Sequence, residues 1–158
     1  EDAGRVRRGY FVEGLGAAQF ATVGAIDRLR GAKPQAPLVL AAGDPANPYG
    51  AALAWPATVS DSPHKPARKA GAMVVLANGE PVVYLERGGH TALTWTDDPA
   101  VLASAARELA LLIQTGRLAS ITVEKIDGKA ALGGDQPLVP ALLAAGFKLT
   151  PKGLRQRR

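Results

Sequence analysis

Arginine and lysine side chains occur in three clusters along this chain, and they are the residues whose type and spacing could do the most specific chemistry. Guanidinium groups form paired hydrogen bonds with phosphate oxygens and lysine ammonium groups add point charges, so both are typical of contacts with a nucleic-acid backbone. If the fold brings the clusters together, they could form one phosphate-facing stripe. The candidate nucleic-acid-binding residues are Arg5, Arg7, Arg8, Lys65, Arg68, Lys69, Lys152, Arg155 and Arg157.

The positive charge of the 158-residue chain is concentrated at its end. The net charge is +5, and residues 148–158 carry five basic side chains and no acid, so the rest of the chain is balanced. Such a tail favours an acidic partner such as nucleic acid. The plainer interpretation, equally compatible with composition, is that these basic residues are solvated and keep the protein in solution.

Motifs for other chemistries are missing from the sequence. There is no G-x-x-x-x-G-K-[ST] phosphate loop, and Gly14-x-Gly16 lacks the third glycine of a dinucleotide fingerprint. The chain has no cysteine, and its two histidines, His64 and His90, are too far apart in sequence to suggest a zinc site. We therefore expect no metal and no cofactor in this chain, and we assign no catalytic residue.

Three carboxylates are candidate acids for base excision, a reaction in which a carboxylate can activate water or stabilise a cationic sugar. They are Glu13, Glu86 and Asp135. Structural roles are favoured for all three: Glu13 could pair with Arg8, Glu86 with basic neighbours of Arg87, and Asp135 could cap a helix.

The two tryptophans, Trp55 and Trp95, also allow two interpretations. An exposed indole can stack on an unpaired base and stabilise a single-strand complex by about 1–3 kcal/mol. More often such aromatic side chains complete a hydrophobic core.

Residues 1–32 resemble a strand pair followed by a helix. Tyr10 and Val12 alternate with Phe11 and Glu13, which is the period-two pattern of a half-buried strand. Gly14 and Gly16 allow the chain to reverse after it. The three N-terminal arginines would then lie at the entry to this strand. Residues 23–30 have a helical pattern that ends at Gly31. The order predicts the last part of a winged-helix-like unit.

Residues 33–70 are expected to form a proline-rich connection with one short strand at 38–42, and residues 71–158 an α+β module. Asn78-Gly79 predicts a tight hairpin, and a third strand follows at 90–95. The order of elements is β-β-β-α-β-α-β, which favours a mostly antiparallel sheet or a barrel-like module. The later elements are a helix capped by Asp97 or Asp98, a strand at 118–126, a helix at 136–145 capped by Asp135 and a final strand at 147–157.

Four segments together resemble the C-terminal region of Lhr, the large helicase-related ATP-dependent DNA helicases of bacteria. They cover more than half of the chain in the order in which they occur in that family. The segments are RVRRGYFVEGLGAAQFATVGAIDRLRG (5–31), DPANPYGAALAWP (44–56), HKPARKAGAMVVLANGEPVVYLERGGHTALTW (64–95) and GFKLTPKGLRQR (146–157).

The resemblance implies a motor outside this chain that uses ATP and Mg²⁺, moves 3′ to 5′ along single-stranded DNA and acts in DNA repair. The implied partners are single-stranded or forked DNA, an RNA–DNA hybrid and the rest of the helicase chain. The family's C-terminal extension is similar to DNA glycosylases built from winged helices and a β-barrel. This chain would be an accessory module that contacts the nucleic-acid backbone.

Two alternatives remain at this point. The chain could be an oligomerisation or docking domain of the same protein, because short antiparallel strands leave exposed edges. It could also be part of a uracil-excising, glycosylase-like unit. No apolar run reaches the roughly 20 residues of a membrane span, so we expect no membrane partner and a cytoplasmic location.

Overall fold

A computed structural model describes residues 4–158, so the first three residues of the predicted 1–32 unit lie outside the described part. This part has the α+β architecture predicted from the sequence, with sheets in which most strand pairs are antiparallel. The helices are α1 (Val23–Arg30), α2 (Pro99–Gln114) and α3 (Leu138–Ala144). The strands are β1 (Val6–Gly9), β2 (Gln19–Thr22), β3 (Leu38–Ala41), β4 (Met73–Ala77), β5 (Glu80–Leu85), β6 (Thr91–Thr94), β7 (Ser120–Val123), β8 (Lys125–Ile126), β9 (Lys129–Ala130), β10 (Lys148–Thr150) and β11 (Gly153–Arg157).

The largest sheet contains six strands in the order β3-β4-β5-β6-β8-β9. Neighbouring strands are antiparallel except for β6 and β8, which are parallel. The β4–β5 hairpin turns at Asn78 and Gly79, whose φ angles of 51° and 88° are those that the predicted turn needs. That prediction is confirmed. The short strand of the 33–70 segment, β3, pairs with β4 and forms an edge of this sheet.

The strand predicted at 118–126 is divided between two sheets. The amides of Glu124 and Lys125 both donate to the carbonyl oxygen of His90, at 3.0 and 2.9 Å, and the chain bends at this point. As a result β7 lies in a three-stranded sheet with the order β10-β11-β7, while β8 joins the six-stranded sheet. All sheets between residues 4 and 158 are open, so the barrel-like closure expected from the sequence is not found there.

The C-terminal segment forms a hairpin, β10–β11, rather than the single strand predicted at 147–157. The chain turns at Pro151 and Lys152, and β11 then pairs with β7 as well as with β10. Gly153 has a φ of 135°, and a side chain there would collide with the carbonyl oxygen of Val123. This close approach requires glycine, and it fixes the start of β11 against β7.

The core forms where α2 and α3 pack on the strands of both sheets. Helix α2 begins after Asp98, whose carboxylate accepts hydrogen bonds from the amides of Ala100 (2.8 Å) and Val101 (3.3 Å). The predicted cap is therefore confirmed. One face of α2 is fully buried and packs in a single core with the six-stranded and three-stranded sheets. Its residues are Leu102, Ala106, Leu109 and Ile113.

Asp135 does not cap α3, so that prediction is wrong. The helix begins two residues later than expected, after Pro137, and no side chain caps it. Pro137 has a φ near the helical value, the amide of Val139 donates to the carbonyl of Gln136 at 2.9 Å, and Pro140 has no N–H to satisfy, so the first turn forms without a side-chain cap. None of the helices between residues 4 and 158 is long and apolar enough to cross a membrane.

The N-terminal ribbon, residues 6–22, consists of β1, β2 and the loop between them. Residues 10–13 lie in the loop and not in a strand, because the Gln19 side chain organises this part of the chain. Its carbonyl oxygen accepts from the amides of Phe11 and Val12, both at 2.8 Å, and its amide group donates to the carbonyls of Val12 (2.8 Å) and Leu15 (3.0 Å). Helix α1 follows directly at the predicted residues.

Candidate nucleic-acid interface

The three-stranded sheet presents a row of basic side chains on its outer face, which we call the basic strip (Lys148, Arg155 and Arg157). Side chains along β11 alternate, so Leu154 is fully buried in the core while Arg155 and Arg157 are exposed. Lys148 lies opposite Arg155 on the neighbouring strand and is therefore on the same face. The fold thus brings two of the predicted residues together and adds Lys148, which the prediction had left out.

Hydroxyl groups lie beside the strip. Thr122 pairs with Arg155 and Ser120 with Arg157 across β7 and β11, and both are partly exposed. Hydroxyls donate readily to phosphate oxygens, so this face combines the two kinds of donor that backbone recognition uses. Arg158 extends the positive charge beyond the strand, next to an open groove of about 470 Å³ that Lys148 and both strip arginines also line. Lys152 is exposed in the turn of the β10–β11 hairpin.

Arg68 has a structural role in its own neighbourhood. Its guanidinium Nη1 donates to the carbonyls of Asn47 (2.6 Å) and Tyr49 (3.3 Å), and Nη2 donates to those of Gly43 (3.0 Å) and Asp44 (3.1 Å). These four bonds use all the Nη protons, because each of the two nitrogens carries two. The side chain anchors the turn-rich 43–49 loop, which leaves no Nη donor for a phosphate.

The other two members of this cluster differ from Arg68. Lys65 is exposed. The Lys69 ammonium lies 3.9 Å from a carboxylate oxygen of Glu86, which is also 3.9 Å from His64 Nδ1. Glu86 therefore has basic neighbours, as its structural interpretation expected, and its charge reduces the positive potential of this region.

The ribbon carries the third cluster. Arg5 precedes β1, and Arg7 and Arg8 lie within the strand rather than at its entry; all three are exposed. Because β1 pairs with β2 in the register Arg8 to Phe20, these two side chains share a face. The ion pairs within residues 4–158 do not include Arg8, so its expected pairing with Glu13 is not formed.

The tryptophans are half-buried members of an aromatic stack. The ring centroids of Trp55 and Trp95 are 5.7 Å apart, and Trp55 is also 5.7 Å from Tyr49 and 5.9 Å from Tyr84. The indole N–H of Trp95 donates to the carbonyl of Pro56 at 3.0 Å. The structure therefore supports their interpretation as packing residues.

Burial in this stack perturbs its phenols. Burial raises the pKa of Tyr84, and the nearby Glu86 carboxylate adds to the effect. Burial also raises the pKa of Tyr49, with a further contribution from Glu80. Both side chains are therefore held neutral.

Geometry for catalysis is sparse in the described part of the chain. His90 Nδ1 and a carboxylate oxygen of Glu124 are 2.9 Å apart at the surface, and no other ion pair between residues 4 and 158 includes either side chain. No group of three or more potential metal ligands occurs between residues 4 and 158. The arrangement that the structure offers is a set of cationic surfaces.

Comparisons with known proteins identify relatives of this chain. A family model for the winged-helix domain of large helicase-related proteins matches residues 1–39. A Mycolicibacterium smegmatis protein named "Lhr helicase/ probable uracil glycosylase" is 49% identical over 170 residues, which cover 99% of this chain and 11% of that protein. An Escherichia coli protein named "Lhr helicase/uracil glycosylase" is 38% identical over 162 residues, which cover 98% of this chain and 10% of that protein.

The chain spans about a tenth of the length of these two relatives. Similarity extends along nearly the whole chain and is not confined to the four segments quoted from the sequence. The resemblance noted in those segments is thus confirmed.

Proposed function

The chain belongs to the Lhr, or large helicase-related, family, and we propose that it serves there as a C-terminal accessory module that binds the backbone of DNA. The observation that carries this proposal is the basic strip: three cationic side chains on one exposed face, with hydroxyls beside them and a buried core behind them.

The spacing of the strip suits a nucleic-acid strand. Residues two apart along a β-strand are separated by about 6.7 Å, and neighbouring strands by about 4.8 Å. Arg155 and Arg157 are two apart on β11, with Lys148 beside Arg155. A nucleic-acid strand carries one phosphate per nucleotide, so side chains at this spacing can contact different phosphates of the same strand. The sheet already orders the backbone that carries these side chains, so binding does not have to order it.

In the whole protein, we propose, this module assists an ATP-dependent 3′ to 5′ helicase and translocase in DNA repair, with ATP and Mg²⁺ used elsewhere in the parent chain. Its proposed partners are single-stranded or forked DNA, an RNA–DNA hybrid and the remaining domains of the helicase, and its place is the cytoplasm. Six other predicted residues are exposed, and we propose them as further contacts with the backbone outside the strip: Arg5, Arg7, Arg8, Lys65, Lys69 and Lys152. Arg68 is left out because its Nη protons are used within the fold.

Uracil excision is a second candidate for the parent protein, favoured by the names of the two relatives. We propose no catalytic acid for it in this chain. Glu86 lies beside Lys69 and His64, and Asp135 is not positioned by a helix terminus. Incubating this chain with a uracil-containing strand tests the candidate directly, and formation of abasic product would place the activity here.

The backbone-binding proposal is tested by the salt dependence of binding. Fluorescence anisotropy with a labelled single strand of about 20 nucleotides, titrated between about 50 and 200 mM salt, gives the slope of log K against log salt. Each lost phosphate contact reduces that slope by about 0.7 on single strands, so Arg155→Ala with Arg157→Ala should reduce it by about 1.4. Arg107→Ala with Lys129→Ala removes the same charge from exposed residues outside the strip and is the matched control.

Two results would contradict the proposal. One is wild-type binding that does not respond to salt, or no binding at the lowest salt. The other is an equal reduction of the slope by the strip variant and its control, because the charge would then act without a defined site.

A further inference from the structure

The exposed aromatic side chains of this protein are confined to the ribbon. The chain has only three phenylalanines, three tyrosines and two tryptophans. Tyr10 is 79% exposed and Phe20 is 61% exposed, whereas Tyr49, Tyr84 and Phe147 are buried. Tyr10 follows Arg8 by two residues along the chain, and Phe20 lies opposite Arg8 on the neighbouring strand. Folded proteins usually cover such rings, so their exposure beside cations suggests a binding surface.

The pairing of the ribbon explains which face is open. Arg8 and Phe20 are cross-strand partners and share one face. On the other face the Phe11 ring of the loop packs over Gly9, with its tip 2.7 Å from where a Cβ would be. The Arg8–Phe20 face is open, since the Phe20 side chain is largely exposed.

The exposed face is also held in a fixed shape. The four hydrogen bonds of the Gln19 side chain tie the loop between β1 and β2 together across up to eight residues. Helix α1 continues directly from β2, with the Thr22 hydroxyl accepting from the amide of Ala25 at 3.3 Å. A ring on such a support loses little conformational entropy when a ligand packs on it.

We propose that the ribbon binds unpaired nucleobases, with Phe20 on this face and Tyr10 in the adjoining loop as stacking rings, and with Arg8 as the cation beside Phe20. Unpaired bases offer flat π-faces for the rings, and phosphates of the same strand complement the positive charge of Arg8 and its neighbours. The inference rests on the proposed function, since it requires the chain to bind nucleic acid. It assigns the ribbon to single-stranded or fork regions and the basic strip to the backbone.

Binding to two ligands of equal length and charge, only one of which has bases, distinguishes base stacking from charge attraction. One is an oligothymidylate strand of about 20 nucleotides, and the other is the same backbone with every base replaced by an abasic analogue. Phe20→Leu keeps an apolar side chain of similar size but removes the ring, while Phe20→Trp keeps a ring. Leu29→Ala, at an exposed apolar residue of α1, is the matched control.

We expect Phe20→Leu to weaken oligothymidylate binding by about 5- to 150-fold, the range that one lost base stack produces, and to leave abasic binding unchanged. Phe20→Trp and the control should bind both ligands as the wild type does. Thermal unfolding of each variant verifies that it is folded, and Tyr10→Leu provides a second ring deletion if Phe20→Leu unfolds.

Equal effects of Phe20→Leu on both ligands, or no effect on either, would overturn the base-stacking proposal while leaving backbone binding through the strip intact. In that case the exposed rings pack against another polypeptide surface. A chain that binds neither ligand overturns the proposed function itself, and this inference with it. Photocrosslinking of a 5-iodouracil strand gives an independent readout: crosslinks should fall in the peptide that contains Tyr10 or Phe20, and crosslinks only elsewhere would contradict the proposal.

Discussion

The ribbon and the C-terminal sheet both present arginines on short antiparallel strands, but they differ in what lies behind those strands. Behind the basic strip, Leu154 is fully buried in a core that α2 and α3 complete. The ribbon is a two-stranded sheet in which every residue from 6 to 22 is exposed or half-buried. Its arginines stand beside exposed rings, whereas those of the strip stand beside hydroxyls. Arginines in the two regions can therefore take part in different interactions. Aromatic rings beside them can stack on bases, and hydroxyl groups beside them can donate to phosphate oxygens.

The largest expected contrast between the two regions is in stability. Leu154→Ala removes a fully buried side chain from the core and should lower the free energy of unfolding by about 2–5 kcal/mol. Phe20→Ala changes an exposed ring and should stay within about 0.5 kcal/mol of the wild type. Urea unfolding followed by circular dichroism measures both. Equal losses would show that the ribbon is part of the core and would remove the contrast.

A smaller effect separates two members of one sequence cluster. Arg68→Ala leaves four carbonyl groups without their charged donor and should cost about 1.5–3 kcal/mol of unfolding free energy. Lys65→Ala, at an exposed residue, should cost less than about 0.5 kcal/mol. The unfolding midpoints of the two variants provide the comparison. If Lys65→Ala is the more damaging variant, the structural role given to Arg68 is wrong.

Sequence reasoning succeeded where the determining contacts are local. The Asn78-Gly79 turn and the Asp98 cap depend on residues within four positions, and both are as predicted. It missed Arg68, whose partners lie 19 to 25 residues away, and Gln19, whose side chain replaces the expected strand with a loop. The division of the 118–126 strand is another such case, because it depends on the distant carbonyl of His90.

The candidate site shows the same limit. The clustering of basic residues near the C-terminus was visible in the sequence, and the alternation along β11 makes two of them face outward. That Lys148 joins them depends on the β10–β11 register, which follows from a hairpin that the pattern did not indicate. The exposure of Tyr10 and Phe20 could not be predicted from the sequence, because both residues also fit the apolar pattern of a buried strand.

The smallest expected effect concerns alkaline pH. Burial raises the pKa of Tyr84, so the folded state keeps its proton more tightly than the unfolded chain, in which the group titrates near 10. The resulting stabilisation is fully present below about pH 10 and is lost as pH rises through the pKa of the folded state. Tyr84→Phe should therefore lose less stability than the wild type above about pH 10. Tyr10→Phe, in the exposed ribbon, is the control, and indistinguishable pH profiles for all three proteins would contradict this account.

In the proposed arrangement the basic strip binds the nucleic-acid backbone and the ribbon binds unpaired bases. The most direct measurement compares dissociation constants for two ligands, oligothymidylate and its abasic analogue. Four proteins are needed: the wild type, the strip variant (Arg155→Ala with Arg157→Ala), the ribbon variant Phe20→Leu and the variant that combines all three substitutions. We expect the strip variant to weaken both complexes and Phe20→Leu to weaken only the oligothymidylate complex. The two effects should add in the combined variant, as they do for independent sites. A strip variant that weakens only the complex with bases, or a ribbon variant that weakens both complexes equally, would contradict the proposed arrangement.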